Sequence, residues 1–406
     1  MHPKDLMIED YSYSLPPEKI ALYPAHPRDS SRLLVFNKGK LEEDIFRHID
    51  DYLPEDPVLV FNDTRVIKSR ILFQKPTGGV IEIFCLEPFQ NIPNYDLLFQ
   101  QTESALWKCM IGKAGKWKEK RLTKDFLINN VEVTLTAALV EKLSDSYVVR
   151  FSWVPAHFSL DEVISGAGVT PLPPYIKRLA DKEDEVNYQT VYSEHEGSVA
   201  APTAGLHFTR EMLDTFRKKG MTTLFTTLHV GAGTFKPVKS DTMEGHVMHA
   251  EWQNITVNFL ESLLNNIDRT IISVGTTATR TLESIFWMGN KILNNKNIDA
   301  SGLKISQWEI YDPQKIHSRK EAVIALIRWI KDRHQTHLMI ETEIIIAPGY
   351  SCKMVQGLVT NFHQPNSTLL LLVAALIGDE WKRMYDYALQ NNFRFLSYGD
   401  GCLILP

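Results

Sequence analysis

Apolar and polar positions alternate in two different ways along this chain. In Arg32-Leu-Leu-Val-Phe36, Pro57-Val-Leu-Val-Phe61, Thr270-Ile-Ile-Ser-Val274 and Glu343-Ile-Ile-Ile-Ala347 the apolar residues run almost without a break. Such runs predict short strands buried on both faces. Residues 222–228 and 357–361 read the same way, and 306–311, 393–398 and 402–405 are further candidate strands. Helical patterns lie between them: 46–53, a helix opening at Thr209, the amphipathic stretch 319–333, and 368–377 behind the cap Ser367. From about Val66 to Trp153 helical periodicity is weak. Short strands separated by turns fill the interval, at 71–73, 80–86, 107–111, 131–135 and 147–153.

The first pattern predicts an α/β fold with a mixed sheet, and the second an inserted small antiparallel β-barrel domain. The α/β domain is therefore expected to be discontinuous, 1–65 and 160–406, with the barrel at 66–159. Residues 286–340, Asn-rich and then amphipathic, read as an insertion within the α/β domain.

A length of 406 residues supports two domains, and 44% hydrophobic with 23% charged residues permits a large core. A net charge of −5 argues against a nucleic-acid coat protein and leaves room for a local basic face. The cysteines, Cys85, Cys109, Cys352 and Cys402, form no CxxC pair, so neither a zinc site nor a disulfide framework is expected. The longest apolar run, 369–377, falls far short of the ~20 residues that span a bilayer. The first sixteen residues lack a signal-peptide core. A soluble cytoplasmic protein, away from membranes and monomeric, is expected.

Chemistry concentrates at the ends of these strands. His207 sits in a loop after Pro202, and His229 opens His229-Val-Gly231-Ala-Gly233-Thr234. A strand–helix–strand unit can bring two such loops together. Asn62-Asp63-Thr64-Arg65 follows a buried strand, where open α/β sheets bind ligands; it also suits a turn or a helix cap. Gly275-Thr276-Thr277-Ala-Thr279-Arg280 joins a strand to a helix. That is either plain capping or an anion site, with Arg280 completing the pocket. His246 and His249 are spaced like metal ligands, but a third ligand at reliable spacing is missing, so no metal is expected. Lys113, Lys116 and Lys118 surround Trp117 in a glycine-containing hairpin. They suit a phosphate backbone with one stacking platform, or a solvated edge that blocks aggregation. Asp400, between two glycines, is a turn residue or an acid at a pocket rim.

Taken in order, these motifs resemble the S-adenosylmethionine:tRNA ribosyltransferase-isomerase family of queuosine biosynthesis. The resemblance rests on Arg28-Asp29-Ser-Ser-Arg32-Leu-Leu-Val, Phe61-Asn-Asp-Thr-Arg-Val66, Pro171-Leu-Pro-Pro-Tyr-Ile-Lys177 and Tyr188-Gln-Thr-Val-Tyr192. It continues through Ala201-Pro-Thr-Ala-Gly-Leu-His-Phe-Thr209, Leu228-His-Val-Gly-Ala-Gly-Thr-Phe235, Val274-Gly-Thr-Thr-Ala-Thr-Arg-Thr-Leu-Glu-Ser284 and Thr360-Asn-Phe-His363. Lys68, Asn366 and the long 286–340 stretch depart from the family pattern.

The resemblance implies an α/β domain with a β-barrel domain and a co-substrate, S-adenosylmethionine. Its ribosyl part would move onto 7-aminomethyl-7-deazaguanine at the wobble position of a tRNA, giving epoxyqueuosine, adenine and methionine. Such chemistry needs a base for the proton beside the sulfonium and an acid for the departing adenine. His207, His229, His246, His249 and Asp63 are the catalytic candidates, with acid and base unassigned. Substrate contacts are expected at Arg65, Thr203, Gly205, Gly231, Gly233, Asn361, His363, Tyr398 and Asp400. Thr276, Thr277 and Arg280 would hold the methionine carboxylate, and Lys113, Lys116 and Lys118 would bind RNA. Two other readings stay open: a paralogue using S-adenosylmethionine on another acceptor, and a catalytically silent tRNA-binding protein.

Overall fold

Nine strands form one mixed sheet in the order His337–Thr342, Glu251–Thr256, Thr222–His229, Val58–Asn62, Ile271–Val274, Gly357–Asn361, Gly401–Leu405, Arg32–Asn37 and Lys40–Ile45. The computed structural model describes residues 2–89, 95–231, 238 and 240–406. The central four strands, Thr222–His229 through Gly357–Asn361, are mutually parallel. Three of the four are buried at every position, which is why their sequences read as unbroken apolar runs. Side chains alternate between two cores. Val58 and Val60 face the helix side with Leu282 and Ile285, while Leu59 and Phe61 pack with Phe46, Phe208 and Phe216 on the other.

The helix Thr276–Asn294 runs along one face and carries Arg319–Lys331 on its back; a Cβ at Gly289 would lie 2.0 Å from the Ala322 carbonyl oxygen. Within 286–340, Asn290 is fully buried and bonds the Lys315 carbonyl and the His317 N–H, at 3.0 Å each. The edge strand His337–Thr342 closes that stretch.

A second, antiparallel sheet has seven strands: Gly168–Val169, Arg70–Gln74, Val80–Pro88, Ser104–Gly112, Tyr147–Val154, Val131–Lys142 and Leu122–Ile128. Among the described residues no ladder joins its two edges. The helix Leu160–Ala167 crosses there, started by the reciprocal Ser159–Glu162 capping box. It approaches Leu122–Ile128 so closely that a Cβ at Gly166 would lie 2.7 Å from the Phe126 ring.

Three candidate strands are not strands. Residues 306–311 turn into the 3-10 segment Glu309–Tyr311. Residues 343–347 leave the sheet, because side chains take their backbone groups: Tyr311 Oη donates to the Ile345 carbonyl and accepts from the Ala347 N–H. Residues 393–398 form a loop with one isolated bridge, Phe395 to Ile20, and Asp400 accepts the Arg394 N–H at 2.7 Å. No helix among the described residues is long and apolar enough to cross a membrane.

Candidate active site

Because the central strands are parallel, their carboxyl ends bring Asp63, Val230, Gly275 and Phe362 to one end of the sheet. Two adjoining clefts open beside these loops, at the carboxyl ends of the strands, where open α/β sheets bind ligands. The first encloses about 740 Å³ including its mouth, between 200–204, Gly275, 360–364 and the pair Tyr175 and Ser397. The second, about 610 Å³, is lined by His246, His249, Glu251, Arg280 and 344–346. Thr276, Thr277 and Leu369 line both, so the two form one trough with a helix start in its wall.

That helix start is shaped by Gly275, whose φ of +92° suits glycine and whose N–H reaches the Val359 carbonyl at 2.8 Å. The N-cap residue, Gly275, supplies no side-chain cap. Thr277 Oγ1 is buried without a hydrogen-bond partner among the described residues. Arg280 is ion-paired with Glu251 and donates from Nε to the Ile344 carbonyl at 3.2 Å. Its Nη2 is buried and unpartnered among the described residues.

His363 lines the first cleft, with Nε2 2.8 Å from Thr360 Oγ1. Burial pushes its pKa down to about 3, so the ring is neutral at pH 7. Asn361 also lines this cleft; its Oδ1 accepts the Thr203 hydroxyl at 2.8 Å and its Nδ2 lies 3.0 Å from His207 Nε2. His207 Nδ1 in turn lies 2.8 Å from Ser31 Oγ, and the ring stacks on Phe46 at 4.6 Å. His207 thus stands behind the wall with both nitrogens engaged. Burial, then Arg394 and Arg28, pushes its pKa down to about 3.

His229 ends the strand Thr222–His229, with Nδ1 3.0 Å from Thr64 Oγ1. Burial, aided by His195, lowers its pKa to about 3. Asp63 accepts the Thr227 hydroxyl at 2.7 Å. Burial raises the Asp63 pKa, and Glu194 adds to this, while Thr227 and His195 pull the other way. None of His207, His229 and Asp63 lines either cleft. Asp63, Glu194 and His195 hold their ligand atoms within 4.8 Å of one another, the one such metal-capable group among the described residues.

A family model described as "Queuosine biosynthesis protein" matches residues 8–404. The chain belongs to that family. An S-adenosylmethionine:tRNA ribosyltransferase-isomerase from Desulfitobacterium hafniense is 36% identical over 98% of this chain and 100% of its own length. A relative of the same name from Caldanaerobacter subterraneus is 36% identical over 98% of this chain and 99% of its own. The crystal structure of S-adenosylmethionine tRNA ribosyltransferase from Thermotoga maritima is 26% identical, covering 98% of this chain and 100% of that one, with a TM-score of 0.46.

Not all motif positions of this queuosine biosynthesis protein family member reach the trough. Gly205 is a packing residue: a Cβ there would lie 1.9 Å from Tyr192 Oη. Gly231 donates its N–H to Glu251 at 3.3 Å. Gly233 lies outside the described residues. Arg65 is exposed beside Glu196, at 3.6 Å, on a different surface cleft. Tyr398 is buried and donates to Asp184 at 2.8 Å; Asp184 also clamps Arg178. Asp400 accepts N–H groups of Arg32 and Arg394, at 3.1 and 2.7 Å, and so fixes a turn. Lys113, Lys116 and Lys118 are exposed on the seven-stranded sheet around the turn Ala114–Lys116.

Two residues at the trough, Tyr175 and Glu251, were not among the expected site residues. Tyr175 Oη meets Ser397 Oγ at 2.7 Å across the mouth, and burial pushes the Tyr175 pKa up to about 12. The rigid Pro171-Leu-Pro-Pro before it was the available signal. Glu251, buried at the start of a strand whose alternate residue Ile255 lies in the core, was signalled by a carboxylate at an inward position.

Proposed function

We propose that this chain transfers and isomerises the ribosyl part of S-adenosylmethionine onto 7-aminomethyl-7-deazaguanine in the wobble position of a tRNA, releasing adenine and methionine. Family membership and relatives of that name over essentially the whole chain support the reaction class. The observation that carries it to the residues is the trough. It offers a site for an anionic group at a helix start whose N-cap is a glycine, and beside it a neutral histidine, His363, in a hydroxyl- and amide-lined cleft.

A neutral imidazole can accept the proton beside a sulfonium. His363 is therefore the first candidate base, with His246 and His249 at the second cleft as candidates for protonating the departing adenine. Burial, then His249, lowers the His246 pKa, so its imidazolium form is scarcer than that of an ordinary histidine but a stronger proton donor. Asn361 presents its amide to the first cleft, oriented by Thr203 and His207. His207 acts here as a positioning residue. His229 and Asp63 shape the adjoining loop through Thr64 and Thr227.

The exposed lysines of the seven-stranded sheet, Lys113, Lys116 and Lys118, suit the phosphates of the tRNA. The same reading treats 66–159 as an inserted barrel-like domain within an α/β domain, 286–340 as a family-variable insertion, and the cytoplasm as the place where tRNA is met. No metal is required in it.

The test is incubation with S-adenosylmethionine and an anticodon stem-loop carrying the aminomethyl-deazaguanine. Adenine release matched by the mass gain of one ribosyl-derived unit on the RNA is expected. Adenine release without RNA modification would point to a paralogue with another acceptor. RNA binding without adenine release would make the chain a silent tRNA-binding protein.

A further inference from the structure

The second cleft takes two histidines, His246 and His249, from residues 246–250, which form neither strand nor helix. The backbone groups of such a stretch must be met by something other than a ladder. Gln307 meets two of them. Its Nε2 donates to the His246 carbonyl at 2.7 Å, and its Oε1 accepts the Met248 N–H at 3.0 Å. A primary amide carries a donor and an acceptor side by side. One side chain thus bonds a carbonyl and the N–H two residues on, the pair that one residue of a neighbouring parallel strand would take. Val247, between them, is 77% exposed, so burial of that side chain does not hold the stretch.

Gln307 is itself anchored to the walls of the same cleft. The Ser306 N–H and hydroxyl both bond Glu309 Oε2 at 2.9 Å, and Glu309 Oε1 lies 2.7 Å from Lys291 Nζ on the helix Thr276–Asn294. That helix opens at the cleft with Thr276, Thr277 and Arg280. The Ile305 carbonyl accepts the Glu343 N–H at 2.9 Å, and Tyr311 Oη bonds the Ile345 carbonyl and the Ala347 N–H, so the segment also grips 344–346 in the opposite wall. All of 305–311 belongs to the stretch 286–340, which departs from the family pattern.

We propose that Gln307 is a positioning residue, through which the stretch 286–340 sets where His246 and His249 stand in the second cleft. This rests on the proposed reading that these histidines protonate the departing adenine. Gln307 touches no substrate and acts only through the backbone it holds. A proton donor displaced by about 1 Å can lose roughly a hundredfold in rate, so a clamp on two backbone groups is enough to matter.

Steady-state adenine release with the modified stem-loop tests this. Gln307→Leu removes both polar atoms at similar volume, and Gln307→Glu keeps an acceptor but turns it on the His246 carbonyl. Each should lower kcat about ten- to a hundredfold and leave KM for S-adenosylmethionine within about twofold, the mark of an interaction that matters in the reacting step. In a His246→Gln/His249→Gln background, Gln307→Leu should lower kcat no further, because the clamp then has no histidine to place. Amide hydrogen exchange on the full chain reads the clamp without activity: the peptide covering 246–250 should exchange about tenfold faster or more in Gln307→Leu, with the sheet strands unchanged.

Unaltered exchange at 246–250, a kcat within about twofold of the unaltered chain, or an undiminished further loss in the His246→Gln/His249→Gln background would each overturn the positioning role while leaving the proposed reading intact. A wild-type kcat for His246→Gln/His249→Gln would remove the reading of these histidines as proton donors, and the role of Gln307 with it.

Discussion

Three histidines are held neutral by burial, and this makes the fold sensitive to mild acid. His207, His229 and His363 have pKa values held down to about 3 by burial, against an ordinary value of 6.5. Where the folded pKa is depressed, the unfolded chain binds more protons between the two values, so stability rises with pH across that window. The contribution is fully present above pH 6.5 and is lost as pH falls toward 3. Each ring costs about 1.4 kcal/mol per pH unit inside the window. At pH 5 that is about 2 kcal/mol per ring and about 6 kcal/mol for three. Set against roughly 5–15 kcal/mol for a typical fold, the loss is large.

Asp63 and Glu283 work in the opposite sense, since burial raises both their pKa values. The folded state holds their protons more tightly than the unfolded chain does, so this contribution is lost as pH rises through the raised values. Single variants isolate each ring. Urea unfolding followed by tryptophan fluorescence at pH 7, 6 and 5 gives the slope of stability against pH. His207→Gln, His229→Gln and His363→Gln should each flatten that slope near pH 5 by about 1.4 kcal/mol per unit. A variant with the unchanged slope would show that its ring is already charged or solvated in the folded state, and the reasoning fails for that residue.

Glu283 accepts from Tyr350 Oη and from three consecutive N–H groups, Lys353, Met354 and Val355, at 2.6 to 3.1 Å. Glu283→Gln turns one acceptor into a donor facing donors, and should cost about 2–4 kcal/mol in urea melts; a loss below about 0.5 would contradict this. Gly205→Ala should lower the melting temperature by an overpacking penalty of about 1–3 kcal/mol, because Tyr192 Oη would sit 1.9 Å from the new carbon. An unshifted melt would show that Tyr192 moves freely. Replacing Lys113, Lys116 and Lys118 by alanine should reduce the slope of log affinity for RNA against log salt by about 2, and an unaltered slope would take these lysines off the RNA. His363→Gln should lower kcat for adenine release by about a hundredfold or more, with unmodified rates removing it as the base.

Much of the scaffold could be read from the chain because of how it is buried. The central strands lie between two cores, so Val58–Asn62 and Ile271–Val274 carry unbroken apolar runs, and their polar carboxyl ends stand out at once. The strand Leu122–Ile128 was hidden for the converse reason. It keeps Lys124 half-buried between Leu122 and Phe126, with its ammonium on the Ala167 carbonyl, while Leu127 is exposed. Residues 393–398 misled in the other direction: apolar burial was real, but Asp400 and the Phe362 carbonyl took the backbone N–H groups that a strand would have used.

The histidines show where a linear reading stops. His207 and His363 both occur in polar motifs, and nothing in their neighbours along the chain separates them. What separates them is long-range. Ser31 and Asn361, 176 and 154 positions away, take both nitrogens of His207, and Phe46 covers its ring. His363 is bonded through Nε2 to Thr360, only three positions off, and its ring lines the cleft. A histidine whose two nitrogens are spent on the scaffold can orient a neighbour but cannot carry a proton to a substrate. The choice between a positioning and a proton-transferring role is therefore made by the packing partners of each ring, and those appear only once the sheet has brought distant loops together.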